Sequence, residues 1–580
     1  MKKKTKAVIN AEIRAKAKKA KEALKAKELK AKEALKQRNL DIIAKAEAKK
    51  LERLCSIYNK FVIKCGLTPT LKLLNKKGYT SAYINDNFGS MHKLYTHMAK
   101  QNPKIYERLI NDSKFTNAKV KELKNKVKKT QRFILTTAVS GKEADIGFIN
   151  SIKTFTKKAK AVAIVLPCID VASSSSIFKY ELDTRLGDFD FASQNIDLNK
   201  NIFISNITVG AKQINPLTGL DRIAQAKGSM VLASPKQYSK PIANCSSKSP
   251  QFLMTTGCVT KRDYSTDKSI SRRQSYIADH DHVIGAIIVE IEDNKIFHFR
   301  QIQANKNGSF IDLGIQYNPN GTTSVIKESV AVFGDTHVGS HDLEVNEVLK
   351  SITKFVRCKE VILHDVWDNK FNNHHDKGRI GLRAKLKRAN KTSLIGEGLL
   401  VQDFLNEWTE LIKKITIIKS NHDEALDRYI DEGRGFDDEE NVYEACALFR
   451  AKVEGKDILK YLMEEYMGLD NPKRINWLKR DESYQVYGIE KGAHGDKGAN
   501  GSKGSQKGIE GSYYKATIGH SHSAGIFRTV FQVGTSTVMD LGYNSGPSSW
   551  TNTMCITYPN GSRQLINIIT DSKGNKTWKL

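Results

Sequence analysis

The sequence has no long apolar segment. Its longest purely apolar run is about as long as residues 161–166 (AVAIVL), whereas a helix that crosses a bilayer needs about 20 mainly apolar residues. The basic start of the chain is not followed by the apolar core of a secretory signal. We therefore expect a protein of the cytoplasm, outside any membrane.

Cysteine is scarce, and acidic residues are fewer than basic ones. The eight cysteines include no CxxC pair, which argues against a zinc ribbon and a disulfide scaffold and is typical of a reducing compartment. The 94 lysines and arginines exceed the 63 acidic residues by 31. Such an excess requires an anionic partner, and nucleic acid and acidic membrane surfaces are the two common ones.

The length and the apolar content favour several folded domains. The usual domain size gives about four domains for 580 residues. The hydrophobic fraction of 39%, with 22 Phe and 20 Tyr, is enough for real cores and excludes extensive disorder. We predict a basic helical arm (1–55), a small helical domain (56–134), a mainly β domain (135–326) and an α/β domain (327–580).

The arm is the most basic part of the chain. Residues 1–50 carry 18 basic and 6 acidic side chains and are otherwise rich in Ala and Leu, which are good helix formers. The apolar positions follow no strict heptad, so no coiled-coil partner is specified. Two interpretations stay open: an arm that lies along a phosphate backbone, or a solvated helix that serves solubility.

The two middle segments carry weaker signals. Residues 68–100 read as two helices around Gly78, the second starting near Thr80 or Ser81, and fit a DNA-reading helix-turn-helix or an ordinary small bundle. In the β region, residues 292–295 and the pair Asn320-Gly321 predict hairpin turns. The DHDH segment at 279–282 is interpreted as an extended strand entry in preference to a metal site.

From residue 329 onward, strands alternate with helices. This pattern predicts a largely parallel sheet with helices on both faces and functional groups at the carboxyl ends of its strands. Polar residues follow three of the predicted strands at those ends: Asp335 and His337 the first, Asp365 the second, and Asn421 and His422 the third. Nine of the fourteen histidines lie between 337 and 522. Mixed imidazole and carboxylate ligands suit a pair of manganese, iron or zinc ions with Asp365 as the bridging carboxylate.

Five motifs in this region carry a family resemblance. They are GDTH (334–337), the Asp365 segment, SNHDE (420–424), AHGD (493–496) and GHSH (519–522). Their order and spacing resemble those of the calcineurin-like metallophosphoesterases, and GDTHVGSHD resembles the opening motif of the Mre11 and SbcD nuclease branch. The resemblance covers roughly 250 residues and implies a metallophosphoesterase catalytic domain, an α/β/β/α sandwich, over 327–580. Taken whole, the chain also resembles pre-early proteins with which large tailed bacteriophages degrade host DNA.

The resemblance implies two divalent ions, most often Mn²⁺, with Mg²⁺, Fe²⁺ or Zn²⁺ as alternatives. One ion would be held by Asp335, His337, Asp365 and His522. The other would be held by Asp365, Asn421, His494 and His520. His422 would face the scissile phosphate as the catalytic residue that stabilises charge or protonates the leaving oxygen.

The sequence departs from the family pattern at His364 and Ser420, where the family usually has glycine. His364 is interpreted as a surface imidazole in preference to a partner that orients a ligand, and Asp423 as a hydrogen-bond partner of a neighbouring imidazole. The pair His374-His375 is interpreted as facing substrate or solvent. Strands after residue 528 would close the second sheet.

The glycine-rich segment 492–511 follows the AHGD motif. It is interpreted either as a mobile basic loop or as a plain connector. In the first interpretation it binds a phosphate backbone through three substrate-binding lysines, Lys497, Lys503 and Lys507.

These features favour a two-metal-dependent nuclease that hydrolyses DNA phosphodiester bonds, degrading host DNA during phage infection. Two alternatives are a phosphatase or phosphodiesterase acting on RNA or small nucleotides, and a non-catalytic nucleic-acid-binding protein. The expected partner is DNA and not a membrane. Self-association into a homo-oligomer stays open.

Overall fold

The computed structural model describes most of the chain. It covers residues 6–65, 68–69, 71–106, 117–169, 182–207, 209–245, 250–264, 272–373, 378–541, 544 and 546–580, without the side chains of residues 6, 7, 65, 72, 92, 104, 117 and 272. The chain forms two compact units, residues 1–110 and 111–580. Several sheets and helices together make a multidomain protein of mixed α/β type. No helix among the described residues is both long and apolar enough to cross a membrane.

The first unit is helical. Its helices are α1 Lys6–Cys65, α2 Leu71–Lys76, α3 Ser81–Phe88, α4 Met91–Gln101 and α5 Pro103–Tyr106. Residues 8–50 of α1 are exposed throughout, and only its last turns pack, through Leu54, Tyr58 and Val62. Helix α3 begins at Ser81 with Thr80 as its N-cap, which confirms the predicted start. Whether α2 to α4 read DNA stays a prediction.

The second unit begins with α6 Asn117–Val127 and a five-stranded sheet. Its strands are β1 Arg132–Val139, β2 Val162–Cys168, β3 Asp190–Phe191, β9 Gly285–Ile291 and β10 Phe297–Gln303, in the order β10-β9-β1-β2-β3. Strands β9 and β10 pair antiparallel, as the turn at 292–295 predicts. Strands β1 and β2 are parallel around helix α7 Ile146–Ala159, a crossover that the strand-like sequence pattern did not reveal.

Two further hairpins form a small three-stranded sheet after β10. Its strands are β11 Phe310–Asp312, β12 Ile315–Tyr317 and β13 Thr323–Val325. Strands β12 and β13 pair antiparallel around Asn320-Gly321, which confirms the predicted hairpin turn.

A ten-stranded sheet combines strands from both sides of residue 326. The earlier strands are β4 Ile196–Asp197, β5 Ile202–Ile204, β6 Ser229–Leu232, β7 Tyr238–Ile242 and β8 Gln251–Thr255. The later ones are β18 Gln485–Val486, β19 Ile489–Glu490, β20 Ala516–Ile518, β21 Gly525–Phe527 and β22 Val530–Gln532. Strands β7 and β21 pair antiparallel and join the two sets. The domains predicted at 135–326 and 327–580 thus share a sheet within one compact unit.

The DHDH segment is helical, which corrects the extended strand predicted for it. Helix α8 Asp221–Lys227 packs on strands β6, β7 and β8, and helix α9 Arg272–Asp281 contains the first three residues of DHDH. His282 follows α9 and is buried, with Nδ1 2.9 Å from the Tyr264 hydroxyl and Nε2 2.7 Å from the carbonyl oxygen of Thr260. Burial lowers the pKa of His282 to about 4, so its ring is a neutral core group.

A seven-stranded sheet carries the predicted strand ends. Its strands are β14 Ser329–Val332, β15 Cys358–His364, β16 Ile415–Ile418, β17 Ile475–Leu478, β23 Asn552–Thr557, β24 Arg563–Thr570 and β25 Lys576–Thr577. Strands β14 to β17 pair parallel, as the alternating pattern predicts. Strand β23 pairs antiparallel with β14 and so lies in this sheet; its predicted place in a second sheet is wrong.

Helices connect and cover these strands. They are α10 Leu343–Val356, α11 Ile380–Arg388, α12 Leu394–Leu411, α13 Glu424–Asp431, α14 Val442–Val453, α15 Ile458–Tyr461, which continues as a π turn over Leu462–Tyr466, and α16 Gln506–Tyr513. Helices α10 and α12 each present apolar residues to the sheet at helical spacing, and these form the largest core. Trp408 of α12 lies at its centre, fully buried.

The five- and seven-stranded sheets are joined by a buried polar network. Arg300 of β10 donates to Glu290 at 2.8 Å and to Asp312 at 2.5 Å, and Gln564 of β24 donates to Asp312 at 3.1 Å. Although burial opposes ionisation, Arg300 lowers the pKa of Glu290 to about 2. The pairing therefore keeps these buried charges satisfied between two predicted domains.

Truncation of Trp408 tests the core. Its ring lies 4.9 Å from that of Phe333, and its Nε1 donates to Asn346 Oδ1 at 3.0 Å. We expect Trp408→Ala to lower the free energy of unfolding by roughly 3–5 kcal/mol, because it leaves a cavity and an unpaired amide. Urea denaturation followed by far-UV circular dichroism measures this. Tyr443→Ala, at a 77% exposed position, is the control, and an equal loss in both variants would contradict this packing.

Candidate metal centre

The predicted ligands lie at the carboxyl ends of neighbouring strands. Asp335 and His337 follow β14, and Asp365 follows β15 directly. Asn421 and His422 follow β16. Because these three strands are parallel and adjacent, their ends meet at one edge of the sheet.

The other three predicted ligands come from the ten-stranded sheet. His494 follows β19, and His520 and His522 follow β20. Gly519 lets this loop approach the first one: a Cβ atom there would lie 2.2 Å from Asp335 Oδ1. The centre is therefore built where the edges of two sheets meet, and any side chain at Gly519 would push them apart.

One group unites four predicted ligands. Ligand atoms of Asp335, His337, Asp365 and His522 all lie within 4.8 Å of one another, and all four residues are buried. The Nε2 atoms of His337 and His522 face each other at 3.1 Å, and His522 Nε2 lies 3.1 Å from Asp335 Oδ2. This is the ligand set that the resemblance implies for one ion.

Asp365 lies between this group and His494. Its Oδ2 atom is 3.5 Å from His337 Nε2 and 3.3 Å from His494 Nε2. The same carboxylate oxygen thus faces ligands of both predicted sets, the position a bridging carboxylate requires. The ring of His520 lies 5.3 Å from that of His494, between ring centres.

Asn421 is the remaining member of the second predicted set, which the structure does not unite as it does the first. Its Oδ1 atom is buried and makes no hydrogen bond among the described residues. The backbone N–H of the next residue, His422, donates to Asp365 Oδ1 at 3.3 Å, which places this loop beside the shared carboxylate.

Several of these residues have a left-handed backbone. The φ angle is 47° at His337, 43° at Asp365, 75° at His520 and 58° at His522. This region is costly for residues other than glycine and persists only where the surrounding structure enforces it. The strain at four predicted ligands indicates that their side-chain directions matter more than local stability.

Unpaired polar atoms show whether the residues fit a metal ion. Oδ1 of Asp335, Oδ1 of Asn421 and Nδ1 of His522 are buried without a hydrogen bond among the described residues. Buried polar atoms are normally paired, and each exception is costly. Oxygen and imidazole nitrogen atoms are ligands of Mn²⁺, Fe²⁺ and Zn²⁺. The donor set therefore fits divalent ions of this kind.

The electrostatics of the centre agree with a cation site. Burial opposes protonation of His494, but the carboxylates of Asp365 and Asp335 outweigh it and raise its pKa to about 9. Burial also favours neutral Asp365, yet His494 and His422 hold its pKa well below the usual value. Negative charge is thus concentrated here and is compensated by the surrounding imidazoles.

Asp368 is a member of the centre that the sequence reasoning missed. Its Oδ1 lies 3.2 Å from His337 Nδ1, and its backbone oxygen lies 3.1 Å from His422 Nδ1. Ser340 donates to its other oxygen at 2.5 Å, and Lys370 Nζ lies 3.2 Å from it. The spacing D-x-x-D from Asp365 across the turn after β15 was the available signal.

The interpretations of His364 and Asp423 are wrong. His364 is fully buried, with Nδ1 3.3 Å from His494 Nδ1, and is not a surface imidazole. Burial, aided by His494, lowers its pKa to about 4. Among the described residues, Asp423 bonds no imidazole: it accepts hydrogen bonds from Ser420 and from the backbone of Trp367. The pair His374-His375 lies outside the described residues.

The predicted substrate lysines are exposed on a folded segment. Lys497 and Lys503 form an isolated antiparallel β-bridge, and a Cβ atom at Gly504 would lie 1.9 Å from the backbone oxygen of Gly495. Lys497 Nζ lies 3.3 Å from Asp481, and Lys507 stands on α16. The segment is therefore a hairpin followed by a helix. Whether the three lysines bind substrate stays a prediction.

Comparison with known proteins shows a similarity to a bacteriophage protein. The chain is similar to Protein A1 of Escherichia phage T5, with 28% identity over 410 residues, 65% of this chain and 72% of that protein. No protein-family model matches the chain. No solved structure matches it. The relative supports a bacteriophage origin for the protein.

Metal content tests the ligand set. We expect the protein, dialysed against Mn²⁺, to hold about two ions per chain. Asp365→Asn removes the shared charge and should reduce this to below about one. His422→Ala should leave it nearly unchanged. Inductively coupled plasma mass spectrometry measures the ions, with the exposed His280→Ala as control. Full metal content in Asp365→Asn, or loss of both ions in His422→Ala, would show that these roles are misassigned.

Proposed function

We propose that the protein is a divalent-metal-dependent nuclease of the metallophosphoesterase type that hydrolyses DNA phosphodiester bonds. The observation that carries this proposal is the position of Asp365, whose Oδ2 faces His337 at 3.5 Å and His494 at 3.3 Å. A carboxylate shared between two imidazole-rich ligand sets is the arrangement of two-metal phosphoesterases.

The residues would divide the work between holding ions and handling the substrate. Asp335, His337, Asp365 and His522 would hold one ion, and Asp365, Asn421, His494 and His520 the other. When bound, two such ions lower the pKa of a water molecule and offset negative charge on phosphate oxygens. Manganese is the ion we expect, on the strength of the mixed ligand set.

His422 is the residue left for the substrate. Its side chain is 22% exposed, whereas that of His337 is fully buried. Its Nδ1 faces the backbone oxygen of Asp368, so the Nδ1–H group donates to that oxygen. The other ring nitrogen, Nε2, therefore points away from Asp368. An imidazole held in this way can donate a proton to the leaving alkoxide.

Charge favours DNA as the substrate over small nucleotides. A hydrolase of small esters does not need a net charge of +31 or a 60-residue helix with exposed lysines. Both features favour the binding of a polyanion. The similarity to a phage protein supports a role in phage infection, for which we propose degradation of host DNA. RNA and small phosphodiesters are the second candidate substrates, because the metal ligands alone do not choose between them.

A substrate panel tests the proposal. Purified protein is incubated with linear, closed circular and single-stranded DNA, RNA and a small phosphodiester, with Mn²⁺, Mg²⁺ or a chelator. We expect metal-dependent cutting of long DNA, and a loss of about 10²-fold or more in His422→Ala with metal content retained. His280→Ala is the matched control. Cutting that persists in the chelator contradicts the metal mechanism, and strict preference for the small ester supports the second candidate.

Removal of residues 1–50 tests the arm. The deleted segment carries a charge of +12. If it contacts phosphates, the deletion should weaken DNA binding most at low salt and flatten the dependence of log Kd on log salt concentration. Fluorescence anisotropy with a labelled duplex, at salt concentrations between about 50 and 200 mM, measures this. An unchanged salt dependence would mean that the arm serves solubility alone.

A further inference from the structure

The segment between β15 and α12 leaves the candidate centre and returns to it. At its start, Lys370 Nζ lies 3.2 Å from Asp368. At its end, Glu397 of α12 accepts a hydrogen bond from the backbone N–H of Lys370 at 3.1 Å. Both ends are therefore fixed beside Asp368, the residue that contacts His337 and His422. Helix α11 ends at Arg388, six residues before α12 begins at Leu394, and six residues of extended chain span at most about 22 Å, so α11 stays on this side of the centre.

Helix α11 lies in this segment and is strongly basic. Residues 379–391 contain no acidic side chain and six basic ones, Arg379, Arg383, Lys385, Lys387, Arg388 and Lys391. All six are exposed, and no residue of α11 is fully buried. In the described part of the chain, Arg383, Lys385 and Lys387 form no ion pair. The helix thus presents uncompensated positive charge to the solvent.

This charge pattern works against the helix itself. Arg383 and Lys387 are four residues apart, where like charges repel and destabilise a helix by about 0.2–0.5 kcal/mol per pair. Arg383 also stands in the first turn, where the helix dipole disfavours a cation. An anionic partner along the helix would relieve both costs.

The side of α11 that faces the protein is set by two leucines. Leu382 and Leu386, one turn apart, are half-buried, whereas Ile380 is 81% exposed. Arg383 and Lys387 follow these leucines directly and so stand on the adjoining side of the helix. With one exposed large apolar residue in nine, α11 lacks the apolar face that a membrane-surface helix requires.

We propose that α11 binds the phosphate backbone of duplex DNA beside the candidate centre. This proposal rests on the function proposed above and identifies the surface that holds the long substrate next to the ligands. Exposed Arg and Lys along one helix neutralise successive phosphates without reading sequence. The contact is expected to position the duplex and to be independent of its sequence.

A charge-neutralised helix tests the proposal. The full-length triple variant R383Q/K385Q/K387Q is compared with K121Q/K124Q/K128Q, which removes the same charge from exposed lysines in and after α6. Binding of a short labelled duplex is measured by anisotropy with EDTA present, so that no hydrolysis is needed. We expect the salt slope to fall by about 2–3 in the α11 variant and by less than about one in the control.

The outcomes separate this proposal from the proposed function. Equal slopes in wild type and the α11 variant, or equal losses in both triple variants, overturn the role of α11 even if the protein cuts DNA. A wild type that binds duplex through α11 but hydrolyses no diester contradicts the nuclease and leaves the helix surface standing. Retained DNA binding, together with lost binding to vesicles of anionic lipid, would make α11 a membrane contact and overturn the proposal.

Discussion

The candidate centre depends on burying several carboxylates and imidazoles together. Asp335, Asp365 and Asp368 are each at most 2% exposed, and concentrated negative charge of this kind requires positive charge close by. The imidazoles of His337 and His494 lie at 3.2–3.5 Å from these carboxylates. The remaining unpaired oxygen and nitrogen atoms give the centre the donor set of a divalent cation site.

The fold satisfies this constraint by bringing two sheets together. The parallel sheet supplies the loops after β14, β15 and β16, and the ten-stranded sheet supplies those after β19 and β20. Close approach is possible because Gly519 has no side chain, and four of the predicted ligands adopt a left-handed backbone. The β region is tied to the same body by strand β7 and by the buried Arg300 network, so it contributes to holding the second sheet in place.

Specificity, in this view, comes from surfaces outside the ligand set. Under the proposed function, the metal ligands would bind a phosphate ester, and the exposed charge around them would favour a long polyanion over a small ester. Exposed basic residues lie on α1, on the glycine-rich segment 492–511 and on α11. Of these, α11 lies in the segment that begins beside Asp368 and ends at Glu397, which accepts a hydrogen bond from the Lys370 backbone, so this basic surface is tied to the candidate centre at both ends.

The sequence by itself determined the local features. Alternating strand and helix patterns predicted the parallel arrangement of β14 to β17, turn residues predicted two hairpins, and the polar residues at the strand ends predicted most of the candidate ligands, because each signal is encoded by near neighbours. Tertiary structure alone decided that His364 is buried, that Asp368 joins the centre and that strands across residue 326 share a sheet. Such contacts, like the one joining His337 and His522 across 185 positions, depend on how distant segments pack, which no local pattern specifies.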